Sequence, residues 1–139
     1  MNFLLDTCVI SELIKPTPNK NFIAWILDQD ESCLYISVLT IGEIYKGIVK
    51  IRNEEKKLKL VKWIENDLAV RFHKRVLPID ERVAKNWGEF QGEMEAQGIK
   101  MPTIDGLLAA TAFTYNMVFV TRNVSDIKTN KVKLINPWL

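Results

Sequence analysis

The stretch Met1 to Leu13, M-N-F-L-L-D-T-C-V-I-S-E-L, decides how the whole chain reads. Phe3, Leu4 and Leu5 form a short uncharged apolar run, the mark of a strand buried on both faces. Asp6 breaks that run with a carboxylate. Thr7 then opens a helix in which Val9, Ile10, Leu13 and Ile14 recur at helical spacing. An acid at the carboxyl end of a first buried strand lies where open α/β sheets bind their ligands. The question for the remaining residues is whether other acids reach the same edge.

Outward from this stretch, strands and helices alternate. Lys15-Pro16-Thr17-Pro18 is a turn, because proline removes backbone donors. Asn19 caps a second helix with Phe22, Ile23, Ile26 and Leu27 on one apolar face. Leu34 to Ile36 read as a second strand, and Ser37 or Thr40 starts a helix turning Ile41, Ile44, Tyr45 and Ile48 inward. Thr40 and Glu43 have the spacing of a capping box. Asn53 to His73 reads as one amphipathic helix, Val76-Leu77 as a brief strand, and Asp80 as the cap of a helix over Glu81 to Ala96 that Gly98 ends. Pro102 and Thr103 open a helix with the small, apolar body Leu107 to Ala112. Val118 to Val120 and Val132 to Ile135 complete the strands. The pattern predicts one α/β domain over residues 1–139, a parallel sheet of about five strands between helices.

Composition narrows the function. With 19 basic and 17 acidic residues the net charge is only +2, so any footprint for an anionic partner must be local. The longest low-charge stretch, Cys33 to Ile44, is too short and polar to cross a bilayer, and no basic, apolar leader precedes Asp6. Two isolated cysteines, Cys8 and Cys33, suggest reduced thiols and a cytoplasmic setting. A single histidine, His73, gives no support to a His-rich metal site or a His-based triad. Catalytic chemistry therefore falls to carboxylates.

Asp6, Glu43, Asp105, and Asn123 with Asp126 all stand just after strands or in the first turns of nearby helices. In a parallel sheet those positions share one edge. Each acid taken alone is equally a helix cap or a solvated side chain. Together, clustered carboxylates repel unless a cation offsets the repulsion, and an all-oxygen set selects a hard ion such as Mg²⁺ or Mn²⁺. Such a site suits phosphodiester hydrolysis.

D-T-C-V-I-S-E-L at Asp6 to Leu13, T-I-G-E-I-Y-K-G at Thr40 to Gly47, D-G-L-L-A-A-T-A at Asp105 to Ala112 and V-T-R-N ending at Asn123 occur in this order. Together they resemble the PIN-domain family, specifically the VapC/FitB-type toxins of prokaryotic toxin–antitoxin pairs. Asn136-Pro137-Trp138 resembles the FitB-like branch. The resemblance spans the chain and implies a Mg²⁺- or Mn²⁺-dependent ribonuclease, a homodimer, and inhibition by a small DNA-binding, VapB-like antitoxin. It carries metal-binding roles to Asp6, Glu43 and Asp105. The family's fourth acid falls on Asn123, whose amide brings no charge, and Asp126 is the candidate to replace it. The family often has Asn at Cys8, a change expected to touch no ligand directly.

Lys46 and Lys50 share the helix face of Glu43 and offer a phosphate backbone a basic stripe, joined by Arg122, which either contacts a phosphate or pairs with an acid of the site. Arg52, Lys56, Lys57, Lys59 and Lys62 read as a solvated face with intrahelical Glu–Lys pairs. Trp25, Trp63 and Trp87 fit apolar helix faces better than base stacking. Two rival readings follow from the same residues. One is a non-catalytic module that keeps the antitoxin contact, favoured by Asn123. The other is a phosphoacceptor signalling domain, set aside because Leu5-Asp6-Thr7 lacks a second acid.

Overall fold

Strand β1 (Phe3–Leu5) lies at the centre of a five-stranded parallel sheet, in a computed structural model that describes residues 1–139. The chain continues through α1 (Thr7–Leu13), α2 (Lys20–Leu27), β2 (Leu34–Ser37), α3 (Val38–Val49) and α4 (Glu54–Lys62). A short α5 (Ala69–Arg71) then precedes β3 (Val76–Leu77), α6 (Glu81–Ala96), α7 (Thr103–Thr114), β4 (Val118–Val120) and β5 (Leu134–Ile135). The sheet order is β3-β2-β1-β4-β5, all parallel. The chain thus winds outward from β1 in one direction and then crosses to β4 on the other side. In open α/β sheets such a reversal marks the ligand-binding edge, which here falls at the carboxyl ends of β1 and β4.

Alternation along β1 sends Phe3 and Leu5 into one core, with Ile10, Phe22, Ile36 and Phe72, and Leu4 into the other, with Phe90, Leu108 and Phe119. The alanine-rich body of α7 packs against α6 and the sheet, with Ala109, Ala110 and Ala112 fully buried. At Gly98 the backbone takes φ +72°, the conformation that ends α6. No helix is long and apolar enough to cross a membrane.

Several local expectations change. The helix expected over Asn53 to His73 has a π segment at Trp63–Leu68 between α4 and α5. Leu60, Ile64, Leu68 and Phe72 are spaced by four, which drifts around an α-helix. The wider turn holds the last three in the core. Leu27 is 78% exposed and Tyr45 faces solvent, because each lies on the far side of its helix from the sheet. The last strand shortens to Leu134–Ile135, with Val132 buried in the preceding loop.

Helix α3 is capped by Ser37, whose hydroxyl accepts from the Leu39 N–H at 3.0 Å. Thr40 sits inside the helix, fully buried, with an unpaired hydroxyl, so the capping box is not formed. Ser37→Ala should therefore cost about 1 kcal/mol in chemical denaturation. Thr40→Val, which replaces an unsatisfied buried hydroxyl by a methyl group, should be neutral or stabilising. A larger loss from Thr40→Val than from Ser37→Ala would reverse the cap assignment.

Candidate active site

Asp6 follows β1 directly and is tied to the neighbouring strand, its N–H donating to Val120 O at 2.9 Å. Its buried carboxylate caps α1, accepting from the Thr7 N–H at 2.7 Å through Oδ1. The other oxygen, Oδ2, accepts from the Thr121 hydroxyl at 2.7 Å and lies 3.6 Å from Cys8 Sγ. Thr121 in turn accepts from the Asn123 N–H at 3.1 Å. Structural and chemical readings of Asp6 therefore coexist, because capping occupies one lone pair and leaves others free.

Glu43 is half-buried on α3. Its Oε1 accepts from the Thr7 hydroxyl at 2.5 Å, which joins the first two acids through one threonine. Asp105, in the first turn of α7, is pushed up from 3.8 to about 6, first by burial and then by the negative charges of Asp6, Asp126 and Glu43. Asp126 ends the 3₁₀ turn Val124–Asp126 that follows Asn123. Three carboxylates thus lie close enough to Asp105 for their charges to act on it at the carboxyl edge of the sheet. No three His, Cys, Asp or Glu side chains converge closely enough to form a ready metal cage. The donor chemistry nevertheless fits a hard cation that keeps several of its own waters, as Mg²⁺ does.

Asn123 is exposed and its side chain caps nothing. Lys46 is exposed beside Glu43, and both border a shallow cleft of about 240 Å³ with Val38, Leu39, Gly42 and Ile104. Lys50 is exposed at the C-cap of α3. Arg122 forms no ion pair with an acid of the site; its guanidinium stands 5.5 Å from the centre of the Trp138 ring. Among the cations from Arg52 to Lys62, only Lys57 pairs, with Glu54 at 3.8 Å, so the expected ladder of Glu–Lys pairs is absent. Trp25 and Trp63 pack on one core and Trp87 on the other.

Cys8 does touch a proposed ligand, contrary to expectation. Its Sγ accepts from the Arg122 N–H at 3.5 Å and can donate to Asp6. Burial, then the Asp6 charge, pushes its thiol up to about 11, so it stays protonated and serves as a weak donor. Thr7 and Thr121 also escaped the sequence reading. Their hydroxyl partners lie 36 and 115 residues away, and no spacing rule reports that. Glu12 is a further buried carboxylate, held down to about 2 by Lys15 first, then by the Asn19 N–H and the Trp138 indole. It belongs to the packing of α1 and stands outside the acidic group.

If the Thr7 hydroxyl orients Glu43, Thr7→Val should reduce catalytic activity about ten- to a hundredfold, while Thr7→Ser retains it. Equal activity in Thr7→Val and wild type, measured on protein of unchanged melting temperature, would remove Thr7 from the site.

The PIN domain family model matches residues 3–128. The chain belongs to the PIN-domain family. It is 33% identical over 135 residues to Toxin FitB of Neisseria gonorrhoeae, covering 97% of each protein. It is 30% identical to VapC ribonuclease Y4jK of Sinorhizobium fredii, covering 97% of this chain and 96% of that one. The solved structure of FitAB bound to an IR36 DNA fragment superposes with a TM-score of 0.90 at 33% identity, over 99% of this chain and 96% of that one. This PIN domain is therefore of the VapC/FitB toxin type.

Proposed function

We propose that this PIN domain is a divalent-metal-dependent endoribonuclease, the toxin of a VapBC-type toxin–antitoxin pair. The observation that carries the reading is the gathering of Asp6, Glu43 and Asp126 close enough to Asp105 for their charges to act on it, with one threonine joining Asp6 to Glu43. The similarity to a VapC ribonuclease supports the same assignment.

Asp6, Glu43 and Asp105 would hold Mg²⁺ or Mn²⁺, in part through water. When bound, the ion supplies a water of lowered pKa and offsets charge developing on the scissile phosphate. Thr121 and the Thr7 N–H fix the Asp6 carboxylate, and the Thr7 hydroxyl fixes Glu43. Asp126 supplies the negative charge that Asn123 lacks, and Asn123 offers an amide to the polar edge. Lys46, Lys50 and Arg122 meet the phosphates on either side of the cleaved bond. The protein acts in the cytoplasm as a homodimer, opposed by a small DNA-binding antitoxin.

The test is cleavage of a mixed tRNA and rRNA pool by purified, antitoxin-free protein, first in chelator and then with Mg²⁺ or Mn²⁺. Cutting that appears only with the ion is expected. One observation favours a second reading, a PIN module that binds antitoxin and nucleic acid without cutting: the uncharged Asn123 at the family's fourth acidic position. Folded protein that cuts no RNA with any divalent ion would shift the assignment to that module.

A further inference from the structure

The Asn136-Pro137-Trp138 segment, far from the acids in sequence, runs directly beneath the loop that follows β4. The Asn136 side-chain amide donates to Arg122 O at 3.3 Å, and its Oδ1 accepts from the Trp138 N–H at 3.0 Å. Trp138 is 9% exposed and packed on three sides. Its ring stacks on Phe22 at 5.1 Å, its carbonyl accepts from Asn21, and its indole N–H donates to the buried Glu12 carboxylate at 3.2 Å. The Arg122 guanidinium sits on the remaining side, 5.5 Å from the ring centre.

This arrangement resolves an electrostatic oddity. Arg122 is exposed and next in sequence to the acidic edge, yet it forms no ion pair with any carboxylate there. An arginine free to turn toward a carboxylate gains a charge-assisted hydrogen bond by pairing with it. The aromatic ring offers a competing attraction, within the distance at which cation–π contacts act. A guanidinium held against a ring keeps its edge donors free for an oxyanion. The anchor is rigid, because Trp138 is fixed by Glu12, Asn21 and Phe22, and Glu12 is fixed by Lys15 and the Asn19 N–H.

We propose that Asn136 and Trp138 are positioning residues that hold Arg122 away from the carboxylates and present its guanidinium to a substrate phosphate. The inference rests on the ribonuclease reading for the identity of that phosphate. It assigns a role in substrate binding to a segment that contributes nothing to the acidic group.

The test is a double-mutant cycle on the full chain, with Arg122→Gln, Asn136→Ala, Trp138→Leu and the doubles with Arg122→Gln. Affinity for bulk tRNA is measured in chelator across a salt series, and KM and kcat are measured with the ion. Arg122→Gln is expected to weaken binding about fivefold and to flatten the salt slope by about one. Asn136→Ala and Trp138→Leu should do the same, raise KM with kcat unchanged, and add nothing in the Arg122→Gln background. Asn136→Ala keeps the experiment decisive if the loss of the packed Trp138 unfolds the chain. Losses that add to those of Arg122→Gln, or no change in affinity, would overturn the proposal. A second readout needs no RNA: the Trp138 ring shifts the NMR resonances of the Arg122 side chain, and Asn136→Ala should move them. Wild-type protein that binds no RNA would overturn the ribonuclease reading. Arg122 resonances that do not move in Asn136→Ala would overturn the positioning role.

Discussion

Asp6→Asn is expected to lower ion-dependent RNA cleavage by about a hundred- to a thousandfold and to leave the fold intact. If Asp6 holds the ion as proposed, the variant removes a charged ligand from an ion that would contribute several kcal/mol to the transition state, at about 1.4 kcal/mol per factor of ten. Asparagine is nearly isosteric and an equally good helix cap, so the bond from the Thr7 N–H to Oδ1 survives. The side-chain NH2 then takes the place of Oδ2, so the Thr121 hydroxyl turns to accept from it instead of donating. The variant therefore separates charge from shape. Its melting temperature should stay within a few degrees of wild type while its affinity for Mn²⁺, measured calorimetrically, falls. Cutting that persists in protein purified identically would trace the activity to a contaminant and sink the assignment of Asp6.

The second large effect concerns pH and the ion together. Asp105 is raised from 3.8 to about 6, first by burial and then by Asp6, Asp126 and Glu43. Without an ion, the folded chain holds this proton more tightly than the unfolded chain does. Stability should then fall as pH rises from about 4 through 6, the opposite of the usual behaviour of a carboxylate. Glu12, Asp30 and Asp80 are lowered instead, so their contributions are present above the ordinary carboxylate range and fade only in stronger acid. Between pH 5 and 7 the contribution of Asp105 is the one that changes most. It amounts to about 1 kcal/mol once solvent screening of this half-buried group is allowed for, or a few degrees in melting temperature. Saturating Mn²⁺ should reverse the trend, and below pH 6 its affinity should fall about tenfold per pH unit as the proton competes for the site. Asp105→Asn should flatten the chelator profile. A profile in chelator that rises from pH 5 to 7, or one unchanged by Asp105→Asn, would show that Asp105 is not pushed up in the folded chain.

The two effects have one origin. Four carboxylates come from β1, α3, α7 and the turn after β4, and each is placed by a different part of the backbone. The sheet brings them to one edge, at the point where the strand order reverses. Their charges push Asp105 up, and in the proposed site a bound cation would offset that repulsion. The hydroxyls of Thr7 and Thr121 hold two of these carboxylates in place, which would lower the reorganisation needed for the proposed ion to bind.

What the sequence determined by itself was the set of elements, the family and the acids that are candidates for the site. Apolar runs at Phe3–Leu5, Leu34–Ile36 and Val118–Val120, with helices between them, leave little choice but a parallel sheet, and the caps at Asn19 and Asp80 hold as read. Asp6, Glu43 and Asp105 stand out because each interrupts or opens an otherwise apolar element, and four ordered motifs carry the family. These are local signals, encoded by spacing and residue type. Only the tertiary structure decided the rest. Ser37 won the cap of α3 over Thr40 because the chain turns as soon as β2 ends, which buries Thr40 a turn too late. The π segment answers a spacing of four that no straight α-helix can keep on one face. Thr7 on Glu43, Thr121 and Cys8 on Asp6, and Trp138 under Arg122 pair residues from opposite parts of the chain. Such contacts depend on side-chain directions fixed by packing, and packing is a property of the assembled fold that no segment carries alone.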